Sequence, residues 1–233
     1  MWSASTQTNN PGSSDVTALR LVAGAFAFHK AVEGVNAAQA AYYGHDQWSV
    51  PINESAAWLI AKALGPPWTE LVPAVVIRSL WPAAPLKQGF GALSEKAPGD
   101  TNREAPLHLP GVCDPAALFD ALIAQQDRHM TNYRWDGATL GLLDNAYAFA
   151  APGDSPTTGR PYYAHASVFV AQRQAEGRSA LDQTELDALD RLVDNATFLD
   201  DLGLILLAEQ FDALKARAAK MLQTGRLLDI LEF

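Results

Sequence analysis

Asp127, Asn132 and Asp144 are the residues of this chain whose types and spacing carry chemistry. Asn132 stands five residues after Asp127, and Asp144 twelve after Asn132. Between the last two lie Asn132-Tyr133-Arg134-Trp135, an Asp136-Gly137 pair, and Thr139 to Leu143. Asp-Gly between alternating apolar residues is a strong hairpin signal, so two short strands are expected there. Three oxygen-bearing side chains therefore converge on one hairpin just after a helix. One carboxylate can orient a hydroxyl and take its proton, while an amide oxygen and a second carboxylate hold Mg²⁺ against phosphates. Singly, Asp and Asn more often cap turns. Their joint register is what points to phosphoryl transfer.

The elements that must position them follow from periodicity. Residues 1–15 read as a loose arm. Val16 to Lys30 reads as two short strands with a turn near Ala23 and Gly24, the second ending at Lys30. Val35 to Val50 reads as a loop. A helix is expected from Asn53, an N-cap with Glu54 in the first turn, to the stop at Gly65-Pro66-Pro67. Leu71 to Leu80 and Gly89 to Ser94 read as strands. The Pro- and Gly-rich stretch Ala97 to Gly111 is a candidate lobe boundary. Pro115 to Gln126 is expected to be helical. Asp182 with Glu185 forms a capping-box variant, and a final helical region runs from about Leu204 to Leu228. Strands dominate the first hundred residues and helices the rest, an α+β plan.

Composition narrows the function. The chain has 233 residues, 48% of them hydrophobic, with 17 Lys and Arg against 26 Asp and Glu, a net charge of −9. Wholesale disorder is excluded. The acidic balance argues against nucleic acid or an anionic membrane as main partner. One cysteine, Cys113, rules out an intrachain disulfide and a cysteine-based zinc site. Cys113 is expected just ahead of a helix beginning at Asp114 and Pro115, as an ordinary thiol. His45, His108 and His165 have no metal-ligand spacing. Trp48, Trp58, Trp68, Trp81 and Trp135 read as packing residues. The polar first twenty residues lack the pattern of a secretory signal and no apolar run could span a bilayer, so a soluble, cytoplasmic protein is expected.

Asp127-Arg128-His129, Asn132, Leu143-Asp144-Asn145 and Phe149 together resemble the phosphatidylinositol 3-/4-kinase-related group of atypical kinases, in its bacterial members, with a distant similarity to HipA-like kinases. Asn53 to Gly65 followed by Leu71-Val72-Pro73-Ala74-Val75-Val76 resembles a second block of that family. The likeness spans roughly residues 19–200. It implies a two-lobed kinase-like fold, with a reduced N-terminal lobe over 1–100 and a mainly helical C-terminal lobe over 101–233. It implies ATP and Mg²⁺, with Lys30 on the α- and β-phosphates and Glu54 as its ion-pair partner. Asp127 would be the catalytic aspartate, and Asn132 and Asp144 the metal ligands. Leu93, Ser94 and Glu95 would form the hinge that reads adenine. Arg128 and His129 are expected to shape the loop, His129 as a packed, hydrogen-bonded residue. A hydroxyl of a protein or small molecule is favoured over a lipid as acceptor. Two departures stand out. Gly12-Ser13-Ser14 is a poor phosphate loop with few residues ahead of it for a first strand, and Asn145-Ala146 follows the metal Asp without a glycine. They motivate the alternative of a pseudokinase, a nucleotide-sensing interaction module without phosphotransfer.

Overall fold

The structure is a computed structural model that describes residues 2–8, 16–21, 26–80, 89–98, 106–154, 159, 161–230 and 232. It is of mixed α+β type. Strands β1 (Trp2–Thr8), β2 (Val16–Leu21), β3 (Phe26–Ala31), β4 (Val75–Leu80) and β5 (Gly89–Glu95) form one antiparallel sheet in the order β1-β2-β3-β5-β4. The loose arm expected over residues 1–15 is corrected over Trp2–Thr8. That segment pairs with β2 from Trp2↔Leu21 to Thr8↔Val16, with an irregularity between Ala4 and Thr6. A strand this polar has no apolar alternation to announce it. It forms because β2 offers backbone partners. Gly12-Ser13-Ser14, between β1 and β2, lies outside the described residues, as does the turn at Ala23 and Gly24.

Alternation along β3 decides what faces the site. Phe28 and Lys30 are two apart and share a face. Val16 and Ala92 lie opposite Lys30, and Ala18 and Ser94 lie opposite Phe28. Gly91 lets β5 approach this closely. A Cβ there would stand 2.3 Å from the Lys30 carbonyl oxygen.

Helices α1 (Ala37–Tyr42), α2 (Ser49–Leu64) and α3 (Trp68–Leu71) lie between β3 and β4. The loop expected over Val35 to Val50 therefore contains α1, capped by the Asn36 side chain on the Ala38 and Gln39 amides. The start of α2 is also corrected. It precedes Asn53 by four residues, with Asp46 accepting from the Ser49 amide at 2.7 Å. Pro51 sits in the first turn, where its missing N–H is not needed. Asn53 is not a cap. It is fully buried, and its Nδ2 donates to the carbonyls of Ala146 and Ala148 at 2.9 and 3.2 Å. Gly65, at φ 79°, ends α2 as expected.

The rest comprises α4 (Pro110–Leu122), β6 (Tyr133–Trp135), β7 (Leu140–Leu142), α5 (Val168–Ala175), α6 (Gln183–Asp194), α7 (Ala196–Gly203) and α8 (Ala208–Thr224). The hairpin stands where Asp136-Gly137 placed it, and Asp182 with Glu185 completes the capping box of α6. The helix expected over Pro115 to Gln126 instead begins at Pro110 and ends at Leu122. Pro115 lies inside it, costing a bond to the Gly111 carbonyl, whose residue is exposed to water. The expected final helical region is broken between Gly203 and Ala208. Cys113 is inside α4, with Sγ donating to the Pro106 carbonyl at 2.7 Å. Burial, then the Asp114 charge, pushes its thiol up to about 12, so it is a poor nucleophile.

The main core runs through both halves of the chain. Ile60 and Leu64 of α2 and Trp68 of α3 pack with Leu118, Phe119 and Leu122 of α4, Leu142, Phe169, Leu189 and Met221. Each such side chain contributes about 1.5–3 kcal/mol by leaving water. Because α2 also packs on β4 and β5, the sheet is tied to this core through the helix that carries Glu54. Trp68 and Trp135 are buried and Trp58 packs against the core, but Trp48 is exposed, with its ring 5.8 Å from Phe90. Trp81 lies outside the described residues. No helix among the described residues is long and apolar enough to cross a membrane.

Candidate functional site

Lys30, Glu54 and Asp144 come from a strand, a helix and a loop, and meet at one point. Lys30 Nζ donates to Glu54 Oε1 at 2.8 Å and to Asp144 Oδ1 at 2.7 Å. Glu54 Oε2 accepts from the Asn145 amide at 2.9 Å, so this glutamate fixes both the lysine and the loop. Burial works against the charge on Lys30, but Asp144 and Glu54 outweigh it and hold the ammonium above its usual range. Burial likewise pushes the Asp144 carboxyl up, and Lys30 and Arg128 more than reverse this, leaving it below the usual carboxylate range. Asp144 has φ 53°, a left-handed conformation in which Asp and Asn are among the most tolerated non-glycine residues. The chain turns there and again at Phe149 (φ 67°), which is how Asn145-Ala146 passes without a glycine.

Arg128 holds the loop that carries the remaining residues. It is 1% exposed and pairs with the fully buried Asp120, Nε donating to both carboxylate oxygens at 3.2 and 3.1 Å. Its other nitrogens donate to the Asn132 carbonyl at 2.6 Å, the Leu143 carbonyl, and Asn145 Oδ1 at 2.6 Å. One guanidinium thus ties the segment before the hairpin to the segment after it, the structural part expected of it. Ser167 Oγ donates to Asp120 at 2.6 Å. Gln125 donates to the Asp144 carbonyl at 3.1 Å and accepts from the Asp127 amide at 3.1 Å.

Asp127 lies beside this network. Asn132 Nδ2 donates to its carbonyl at 2.7 Å, and Tyr43 Oη donates to its Oδ1 at 3.0 Å. His129 is exposed, correcting the packed role. Its Nδ1 bonds Thr131 Oγ1 at 3.0 Å, and its Nε2 stands 3.6 Å from Asp127 Oδ1. Burial raises the Asp127 carboxyl, while His129 and the Tyr43 hydrogen bond oppose the rise. Tyr43 stands at the C-cap of α1, in a stretch whose sequence reads as loop and gives no signal for it. Its ring stacks on Tyr147 at 4.5 Å, three residues beyond Asp144. If Asp127 acts as a base, Tyr43→Phe removes an influence that keeps it ionised. The acid limb of the pH–rate profile for ATP turnover is then expected to move to higher pH. An unmoved limb would show that Tyr43 does not set the ionisation of Asp127.

A cleft of about 250 Å³ runs between the sheet and the hairpin. Its sheet side carries Val16, Phe28, Lys30, Ala92, Ser94 and Glu95, and its other side Thr131, Asn132, Arg134, Leu143 and Asp144. Of the expected hinge residues, Ser94 and Glu95 line it. Leu93 does not, and Ala97 lines it instead. Asp127 lines an adjoining shallow groove with His129, Ser167 and Val168. Among the described residues no cluster of three or more His, Cys, Asp or Glu gathers as a metal site. Asn132 and Asp144 are two hard-oxygen side chains at the cleft. The Asn132 side-chain oxygen, Oδ1, accepts no hydrogen bond among the described residues, while its Nδ2 donates to Asp127. That pair fits Mg²⁺, which keeps several waters and takes few protein ligands alongside phosphates. No protein-family model and no curated protein sequence matches this chain.

Proposed function

We propose that this protein is an ATP-dependent phosphotransferase of the atypical, phosphatidylinositol 3-/4-kinase-related type, moving a phosphoryl group to a hydroxyl acceptor. The proposal includes a two-lobed kinase-like arrangement, residues 1–100 on the nucleotide side and 101–233 carrying the catalytic loop, and a cytoplasmic setting. The observation that carries it is the bridge made by Lys30, whose ammonium reaches Glu54 at 2.8 Å and Asp144 at 2.7 Å inside a cleft. A lysine oriented by one carboxylate, beside a second, part-buried carboxylate at the cleft, suits a phosphate chain.

Each residue then has a task. Glu54 orients Lys30, which neutralises phosphate charge. Asp127 orients the acceptor hydroxyl and takes its proton. Asn132 and Asp144 would hold Mg²⁺, which supplies further positive charge at the phosphates. The net charge of −9 disfavours an anionic lipid surface, so a protein or small-molecule hydroxyl is the favoured acceptor. The second reading, a nucleotide-sensing module without transfer, draws on Tyr43, which occupies Asp127 Oδ1.

Melting the protein against increasing ATP with Mg²⁺ tests the reading. Stabilisation of about 2.7 kcal/mol is expected at a hundredfold excess over Kd. No shift at millimolar nucleotide would end the nucleotide assignment. A shift without any phosphate appearing on acceptors in a cell extract would favour the sensing module, and an added nucleotidyl mass would indicate adenylylation.

A further inference from the structure

Arg134 is a half-buried cation in the wall of the cleft, and among the described residues it has neither a hydrogen-bond nor an ion-pair partner. The buried Arg128 and Arg173 both pair with carboxylates. An arginine left unpaired in a cleft has its planar face and five donors free for a ligand.

The strand register tells which end of the cleft it serves. Arg134 lies directly opposite Gly141 in the β6–β7 pair, so the two residues project to the same face of the hairpin. That face meets the segment following β5. A Cβ on Gly141 would stand 2.2 Å from the Pro98 carbonyl oxygen. Arg134 therefore belongs to the end lined by Glu95 and Ala97. Lys30 marks the other end, with Asp144. On the sheet side, the residue one step along β3 from Lys30 on the same face is Phe28, opposite Ser94. Two residues of strand amount to about 6.6 Å. The cation for phosphate and the aromatic ring thus follow each other along β3, and Arg134 faces the cleft from the hairpin at the aromatic end.

We propose that Arg134 is a base-stacking residue. Its guanidinium forms the hairpin wall, and Phe28 the sheet wall, of a slot for the flat purine of the nucleotide, while Lys30 takes the phosphates. This rests on the nucleotide reading above and adds to it the residue that grips the base. A guanidinium stacks on aromatic faces, and such contacts gain strength when water is excluded. The arrangement also gives an acidic protein a second positive group in its cleft, in a place where hydrogen bonding of phosphate is not required of it.

Binding of three probes by calorimetry separates base from phosphate. The probes are ATP with Mg²⁺, adenosine, and inorganic tripolyphosphate with Mg²⁺. Arg134→Ala is expected to weaken ATP and adenosine alike, by about 2- to 30-fold, and to leave tripolyphosphate unchanged. Lys30→Met is expected to weaken ATP and tripolyphosphate and to spare adenosine. Because Arg134 has no partner to strand, the variant should melt with the wild type, and Arg134→Gln provides a second substitution of the same prediction. Loss of tripolyphosphate binding with adenosine unaffected would make Arg134 a phosphate contact and overturn the proposal. Unchanged ATP affinity in both variants would overturn it while leaving the nucleotide site intact. A wild-type protein that binds none of the probes would remove the nucleotide reading together with it.

Discussion

Asp127→Asn is expected to lower phosphotransfer by about 10²- to 10⁴-fold, the contribution typical of a positioned general base, with no loss of folding stability. The two halves of this expectation have separate causes. Asn keeps the shape of the side chain and an oxygen that can accept from Tyr43 Oη, now at 3.0 Å. It cannot take a proton from a hydroxyl. On stability, burial raises the Asp127 carboxyl in the folded chain. A carboxyl whose folded pKa is raised binds its proton more tightly when folded. Its contribution favours folding most at low pH and is lost as pH rises through the folded value. At neutral pH the ionised group is a cost to the fold, and the neutral amide removes that cost. The melting temperature at pH 7 should therefore equal or exceed that of the wild type. Transfer and melting measured on the same preparation check both halves. Wild-type transfer in the variant would remove Asp127 from the chemistry. A large drop in melting temperature would make it a structural residue of the loop.

What could be read from the sequence, and what could not, divides by the range of the interaction. β2, β3, β5, the Asp136-Gly137 hairpin, the Gly65 stop and the Asp182–Glu185 box are local signals, and they stand in the structure where the residues placed them. The Lys30–Glu54 pair, 24 residues apart, is an expectation of the motif resemblance alone, and the bond from Lys30 to Asp144, 114 residues away, is announced by nothing local. Where local preference misled, a tertiary demand had overridden it. Asn53 looks like a cap, yet it is buried to bind the carbonyls of Ala146 and Ala148. Pro115 looks like a helix start, yet α4 runs through it, because Leu118 to Leu122 must reach the core. The strand Trp2–Thr8 has a polar sequence and exists by pairing. Tyr43 and Arg134 carry no such local signal, because nothing in a half-polar loop or a short hairpin marks which side chain turns toward a cleft. The signal for Arg134 was present in Gly141. A glycine in the middle of a short strand marks a close backbone approach, here of Pro98, and its cross-strand partner shares that face.

Arg128→Ala should be the most destabilising single change at the site, costing about 3–5 kcal/mol, a large part of the 5–15 kcal/mol typical of a domain. The guanidinium and the Asp120 carboxylate are both fully desolvated. Removing one leaves the other as an uncompensated buried charge, with only the Ser167 hydroxyl donating to it. The Leu143 carbonyl loses its donor at the same time, and the Asn132 carbonyl keeps only the Leu143 amide. Urea unfolding followed by tryptophan fluorescence measures the loss. A cost under about 1 kcal/mol, the range of an exposed ion pair, would contradict the buried network. The single variant alone does not separate stability from positioning, and a double variant does. Asp120→Leu with Arg128→Met replaces the pair by apolar groups of similar size, an exchange that is often neutral or stabilising. Most of the lost stability should return. Transfer should not return, because no side chain then joins the Asn132 carbonyl to the Leu143 carbonyl and Asn145 Oδ1, and the hairpin ends that carry Asn132 and Asp144 keep only their backbone bond from the Leu143 amide to the Asn132 carbonyl. Recovery of both together would mean that Arg128 serves the core alone. Recovery of stability without transfer would identify it as the residue that positions the two proposed metal ligands.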